Sequence, residues 1–418
     1  MDDIPAGKEE TDVRIVCIAP YVPGELIGHA GGAFLYRYLA TLARDHDVHL
    51  LAPATTDNLT FLQHVPTGVQ VHLVAIRQPT GVAHRQRTRI RNAVRGLTPG
   101  WPVLDGFRQD VAARALLASA DVVEIQWDHM LALLDVLPEL GSVPVVAVAL
   151  DIVTQSFQRR TDTASGLQAL SLRCLTRRVA AQERRLLNAC AHVRVLSGKD
   201  ARVIEALGVR TPVDVVPPLL VAPDKPAPAG RSGVVACIGA LWRPENVDGL
   251  LWFAEEVWPA VRRACPAAQL VLTGARPSAE LLSLDGSDGI VVEGFRADLR
   301  PAFDRAGVFV VPLRQGAGIK VKVLEAMLHR LPVVTTAVGA EGIEDEAPPG
   351  ALLVAADAQS MAAMVVGLIE DAGQRAAAAE IAWGWARDQF SAERVEARVL
   401  EIYAGGAGER LRAHARSS

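Results

Sequence analysis

Short apolar runs rich in valine, isoleucine and leucine recur along this chain, and longer stretches of helical periodicity separate them. Residues 13–19, 48–52, 69–76, 122–126, 145–150, 193–196 and 213–216 read as buried strands, with helices at 33–44, 109–119 and 167–189. Strands apolar on both faces, alternating with helices, predict a parallel sheet covered on both sides. Residues 217–232 break the series with five prolines, which remove backbone donors and fix φ, so this stretch reads as a linker. The alternation then restarts, with strands at 234–239, 269–273, 290–293, 308–311, 333–337 and 352–355 and helices at 247–264 and 358–371. Residues 381–403 predict one or two further helices. The expected class is α/β, with two Rossmann-like, doubly wound domains at 13–216 and 233–378, a helical segment at 379–403 and disordered ends at 1–12 and 404–418. In such sheets ligands bind outside the carboxyl ends of the strands, so chemistry is sought in the loops that follow them.

Composition narrows the picture only a little. With 418 residues, 50% of them hydrophobic and 22% charged, the chain is a globular protein of more than one domain. Aromatic residues make up only 5%, which argues against a base-stacking nucleic-acid platform, and the net charge of −4 gives no reason to seek a polyanion. Residues 1–12 are acidic without an apolar stretch, and the longest strongly apolar run, 143–150, is far short of the roughly 18 residues of a membrane helix. A cytoplasmic location is therefore expected. Cys17, Cys174, Cys190, Cys237 and Cys265 show no CxxC spacing and read as reduced core thiols, with no metal site expected.

The strongest chemical signal follows the strand at 308–311. Gly316 and Gly318 permit a tight turn and close approach of a ligand to the backbone. The helix predicted over 319–329 would present unpaired N–H groups and a positive dipole end, which together bind anions. Lys320 and Lys322 stand in its first turn, where a bound anion would offset their unfavourable placement. Lys322 and Glu325 share a helix face. A lysine for a diphosphate and a carboxylate for vicinal hydroxyls suits a nucleoside diphosphate; an ordinary surface ion pair has the same spacing.

Three features of the first domain deserve separate mention. Gly28, Gly31 and Gly32, with His29 among them, predict a flexible loop before a helix from residue 33; their spacing is not GxGxxG and supports no dinucleotide fingerprint. Asp151 follows the strand at 145–150, where it can position an acceptor, act as a base, or cap the next helix. Residues 84–95 carry five arginines (Arg85, Arg87, Arg89, Arg91 and Arg95) and no acid, which fits an anionic acceptor, a membrane surface or a solvated face.

The segment GAGIKVKVLEAM (316–327), followed by LPVVTTAVGAEGI (331–343), resembles the donor motif of glycosyltransferase family 4, which has the GT-B fold of two Rossmann-like domains facing a central cleft. IGALWRPENVDGLLWF (238–253), PAAQLVLTG (266–274) and GFRADLRPAFDRAGVFVVP (294–312) are similar to the same family. The resemblance implies transfer of a sugar from a UDP- or GDP-type donor to a hydroxyl of a small or lipid-linked acceptor, with retention and without a further cofactor. It implies that Glu325 meets the donor ribose and that Lys320 or Lys322 and the Gly318–Ile319 backbone face the diphosphate. It places Gly294, Phe295 and Arg296 near the nucleobase, Gly31, Gly32 and His29 near the phosphates and acceptor, and residues 379–403 across the first domain.

The chain also departs from the family pattern. Many members have two glutamates separated by seven residues; the second matches Glu325, while Gly316 or Ala317 stands at the first. A frequent Gly-Arg is here Gly239-Ala240, so Lys320, Lys322 and Arg243 are expected to supply the missing charge. A frequent His-Asp is Leu150-Asp151. The expected catalytic set is Asp151, Lys320 and Lys322. A sugar-nucleotide epimerase on the same scaffold, or a non-catalytic nucleotide-sugar-binding subunit, are the alternatives.

Overall fold

A computed structural model describes residues 13–24, 30–77, 100–162, 164–220, 222–223, 233–401 and 403. The first domain holds β1 (Arg14–Ile18), β2 (Asp47–Pro53), β3 (Val69–Val74), β4 (Val122–Gln126), β5 (Val145–Ala149), β6 (His192–Val195) and β7 (Val213–Val215). They form one parallel sheet in the order β3-β2-β1-β4-β5-β6-β7. The second domain holds β8 (Val234–Ile238), β9 (Gln269–Thr273), β10 (Ile290–Gly294), β11 (Val308–Val311), β12 (Val333–Thr336) and β13 (Leu353–Ala355), again parallel, in the order β10-β9-β8-β11-β12-β13. The strand order reverses between β1 and β4 in one sheet and between β8 and β11 in the other. Loops leaving such neighbours diverge to opposite faces, which opens a crevice at each switch point.

Several element boundaries differ from the sequence expectation, each for a local reason. The helix expected from residue 33 starts earlier, as Ala30–Leu42, and places Gly31 and Gly32 in its first turn rather than in a loop. The first N–H groups of a helix have no intrahelical partner, so glycine is tolerated there better than in the interior. The helix expected over 109–119 is two, Trp101–Gln109 and Val111–Ala118, divided at Asp110, whose carboxylate caps the second by accepting from the Ala113 amide at 2.9 Å. The helix expected over 247–264 begins at Pro244, passes through a π-turn at Phe253–Val257 and resumes as Trp258–Ala264 with Pro259 in its first turn. The apolar pattern runs unbroken across that turn because Phe253, Val257, Trp258 and Val261 all enter the core. Cys17, Cys190 and Cys237 are core thiols, but Cys265 is only half-buried and Cys174 is exposed on the helix Gly166–Asn188. His29, the arginines of 84–95 and the ends 1–12 and 404–418 lie outside the described residues.

Two seams join the domains. After the second sheet the chain runs through Ala372–Phe390, beside the donor-motif helix, and then Ala392–Glu401, which packs on Ala30–Leu42 of the first domain. Val395, Val399 and Tyr403 share one continuous apolar cluster with Leu39 and Leu42. Arg44 pairs with Glu396 at 2.5 Å, and the Arg398 Nε donates to the Val215 carbonyl at 3.0 Å. Beyond this helix the Tyr403 hydroxyl meets the buried Glu124–Arg194 ion pair of the first domain. On the other seam, Glu341, Asp345 and Glu346 of the second domain meet Arg159, Arg202 and the Gly198 amide of the first.

Candidate active site

The donor-motif helix is Val321–Leu328, two residues shorter at its start than the periodicity suggested. It is anchored by Val323, Leu324, Ala326, Met327 and Leu328, all in the core. A fully buried aliphatic side chain contributes about 1.5–3 kcal/mol, so this face fixes the helix firmly. Lys322 and Glu325 stand on the remaining face. The loop before the helix turns through Gly316 (φ 128°) and Gly318 (φ 70°), conformations that side-chain-bearing residues rarely adopt.

Lys320 stands at the N-cap, not within the helix, and its side chain folds back on the loop. Its ammonium donates to the Ala317 carbonyl at 2.9 Å and to the Gly318 carbonyl, and lies 3.9 Å from Glu341. Burial pulls its pKa down to about 7, against the opposing pull of Asp151. Lys322 reaches the other way, across the switch point between β8 and β11. Its Nζ donates to Asn246 Oδ1 at 2.9 Å and lies 3.0 Å from where a side chain on Gly239 would begin. Thus the ammonium goes to an amide in the first turn of Pro244–Trp252 rather than to Glu325 three residues on. Burial lowers it to about 8, with Cys237, Glu245 and Glu325 raising and Arg243 lowering. Glu325 is raised to about 6 by burial, offset by Arg37 and Lys322. Arg37 belongs to Ala30–Leu42, so this carboxylate faces the first domain.

Asp151 stands directly opposite. A Cβ on Gly318 would lie 2.3 Å from its Oδ1 and 2.8 Å from the Leu150 carbonyl oxygen, so the glycine loop abuts the end of β5. Asp151 does not cap the helix Val153–Asp162. The amides of Val153 and Thr154 donate instead to Glu183, at 2.8 and 3.0 Å. The Asp151 carboxylate keeps solvent access yet is walled in by both domains, and this desolvation raises its pKa to about 6. Lys320 and Arg243 pull it down, while Asp200 and Glu245 push it up.

The remaining expected residues are spread around this centre. Arg243 is exposed at the N-cap of Pro244–Trp252, 3.7 Å from Glu245 and over the Trp242 ring. Ile319 is buried beneath the glycine loop. Gly294 (φ 69°) ends β10, Phe295 is 54% exposed and Arg296 lies 3.9 Å from Glu293. These three stand three strands from β11, about 14 Å at ordinary strand spacing. Among the described residues, no cluster of three or more His, Cys, Asp or Glu side chains could hold a metal ion.

Four partners escaped the sequence reading. Asn246, just ahead of the helix expected over 247–264, and Arg37, a polar residue within an apolar helical pattern, show no local sign of these contacts. Glu183 is distant in sequence from the helix it caps. Glu341 gathers Arg159, Lys199 at 3.7 Å and Lys320 from both domains, and only the folded seam brings these together.

Comparison with known proteins bears on this arrangement. Residues 232–371 match a family model described as glycosyl transferases group 1. An uncharacterized 44.6 kDa protein of the cps region of Klebsiella pneumoniae is 33% identical over 116 residues, covering 26% of this chain; the match spans only 30% of that curated relative. Among solved structures, sucrose-phosphate synthase from Thermosynechococcus elongatus superposes with a TM-score of 0.69 at 16% identity, covering 94% of this chain and 98% of that one. Anabaena HepE, in a complex with UDP and glucose, gives 0.67 at 14% identity over 94% and 100%. Trehalose-6-phosphate from E. coli, as that structure is described, with UDP-2-fluoro glucose bound, gives 0.61 at 11% over 94% and 99%. No helix among the described residues is long and apolar enough to cross a membrane. The chain thus has the GT-B fold, and residues 232–371 of its second domain are similar to glycosyl transferases group 1.

Proposed function

We propose that the protein transfers a sugar from a UDP- or GDP-type nucleoside diphosphate sugar to an acceptor hydroxyl with retention of configuration. One observation carries this reading: the cationic crevice of the second sheet faces a walled-in carboxylate of the first across the Gly318–Asp151 contact. The donor lies along the carboxyl edge of the second sheet, its base toward Phe295 and its diphosphate at the Gly318–Lys322 turn. Glu325 accepts hydrogen bonds from the ribose hydroxyls.

Lys322 and the positive end of the helix dipole oppose the charge that develops on the departing diphosphate. A preorganised donor of this kind stabilises a transition state by about 2.7–4 kcal/mol. Lys320 braces the turn from beneath and adds its charge to the same field. As the bond between the anomeric carbon and the phosphate oxygen breaks, the acceptor oxygen bonds to that carbon and its proton passes to Asp151. A carboxyl whose pKa is raised to about 6 is mostly ionised at neutral pH and suited to this step. Retention requires acceptor and diphosphate to share one face of the sugar. The closeness of Asp151 to the diphosphate turn supports that geometry.

The acceptor is a small or lipid-linked molecule handled in the cytoplasm, with peripheral membrane contact through 84–95. Co-sedimentation with anionic vesicles that weakens as salt rises supports the contact, and absence of salt-sensitive binding removes it. For the reaction, release of free diphosphate from a panel of UDP- and GDP-sugars is followed with acceptors, and the product anomer is read by NMR coupling constants. Interconversion of donors without an acceptor would favour an epimerase. Binding without turnover across a broad acceptor panel would favour a binding subunit.

A further inference from the structure

The switch point of the second sheet holds a buried amide whose two ends are both engaged. Asn246 lies in the first turn of Pro244–Trp252 and is 8% exposed. Its Nδ2 donates to the Ala240 carbonyl at 2.9 Å, and its Oδ1 accepts from the Lys322 ammonium at 2.9 Å. One side chain thereby ties the loop after β8 to the helix after β11. Gly239, Pro312 and Lys322 line the same small crevice. A Cβ at Gly239 would meet both the Lys322 Nζ at 3.0 Å and the Asn246 Nδ2 at 3.4 Å, so a side chain there would crowd the paired ammonium and amide.

We propose that Asn246 is a positioning residue for the donor diphosphate, holding the Lys322 ammonium at the mouth of the Gly239 loop through a neutral amide. The inference rests on the proposed donor site and names a residue that acts through Lys322. An amide orients an ammonium without neutralising it, so the positive charge remains available to an anion. A carboxylate of the same shape would form an ion pair and compete with the diphosphate. The groups bearing on Lys322 are Cys237 from β8, Arg243 and Glu245 from the following turn, and Glu325 from its own helix. Neither acid is hydrogen-bonded to Lys322, which leaves Asn246 as its oriented partner.

The test compares UDP with UMP, and GDP with GMP, on the full chain. The ratio of affinities for diphosphate and monophosphate reports the terminal phosphate alone. Asn246→Asp is expected to lower that ratio about tenfold while nucleoside affinity holds, since a charge-assisted contact is exchanged for an internal pair. The basic limb of donor kcat/KM should also move to higher pH, because the new carboxylate favours the charged lysine. Asn246→Ala lowers the ratio without that upward movement, and serves alone should the Asp variant not fold. A merely structural role would weaken monophosphate and diphosphate equally and leave the limb in place; that result overturns the inference. Should the native chain bind neither UDP nor GDP, the proposed function itself fails, which separates the two outcomes.

Discussion

Gly318→Ala is the sharpest single perturbation of the closed cleft. Gly318 has φ 70°, and a left-handed conformation costs a side-chain-bearing residue roughly 1–2 kcal/mol. That part acts within the second domain and should lower thermal stability by only a few degrees. The larger effect crosses the cleft. The new methyl would stand 2.3 Å from Asp151 Oδ1 and 2.8 Å from the Leu150 oxygen. Asp151 can rotate aside, but the Leu150 carbonyl is backbone, fixed by β5, and must retreat by roughly half an ångström or more to reach ordinary contact. The cleft then opens, and a misplacement of about 1 Å between reacting groups costs on the order of 100-fold in rate. Steady-state diphosphate release with donor and acceptor should therefore show kcat reduced by about 10- to 100-fold. Binding of UDP or GDP alone should weaken by a smaller factor than kcat, because the strained turn touches the diphosphate while the clash with β5 acts across the cleft. Unchanged kcat would refute the claim that Gly318 and Asp151 meet in the reacting conformation.

Three further outcomes follow from the electrostatics. Glu325 has a folded pKa raised to about 6 from 4.5, so its charged form is penalised and stability falls as pH rises through that window. Glu325→Gln should raise stability at pH 7 by up to about 2 kcal/mol, with no gain near pH 4, while weakening donor binding; equal denaturation midpoints at pH 7 would contradict this. Donor kcat/KM should rise as Asp151 ionises near pH 6 and fall above about 7 to 8 as Lys320 and Lys322 lose their protons. Glu325 ionises in the same range, so the limb is read on a Glu325→Gln background, where Asp151→Asn should abolish it; a double variant that keeps it would remove Asp151 as the base. Glu341→Ala leaves Arg159, Lys199 and Lys320 facing one another across a half-buried seam, and loss of a charged hydrogen-bond partner there costs about 1.5–3 kcal/mol. A lower melting temperature and a larger radius of gyration by small-angle scattering are expected; unchanged values would show that the seam does not hold the domains.

Much of this architecture was legible in the hydrophobic pattern. Val122–Gln126, Gln269–Thr273 and Val308–Val311 match the expected bounds because each is a run of strand formers stopped by a polar residue, a glycine or a proline: Asp121, Gly274, and Gly307 with Pro312. Helix limits were less visible. Asp110 breaks one helical pattern by capping, and the π-turn at Phe253–Val257 preserves an apolar face while changing the helix beneath it. At the site, the glycine turn and Lys322 could be singled out because local chemistry and spacing define them. Their partners could not. Asn246, Arg37 and Glu341 act on residues 76, 288 and 21 positions away, respectively, where only tertiary packing makes neighbours. The same limit applies to Asp151, whose capping role was excluded only once Glu183 was seen to take the amides of Val153 and Thr154.

The most direct test of the donor site is calorimetric titration of the native chain and of Lys322→Ala with UDP and GDP. The account predicts that the native chain binds one of the two and that the variant binds it about 100-fold more weakly, the equivalent of one preorganised phosphate contact. Equal affinity in the two proteins would contradict the assignment of Lys322 to the diphosphate, and no binding of either nucleotide by the native chain would contradict the donor site as a whole.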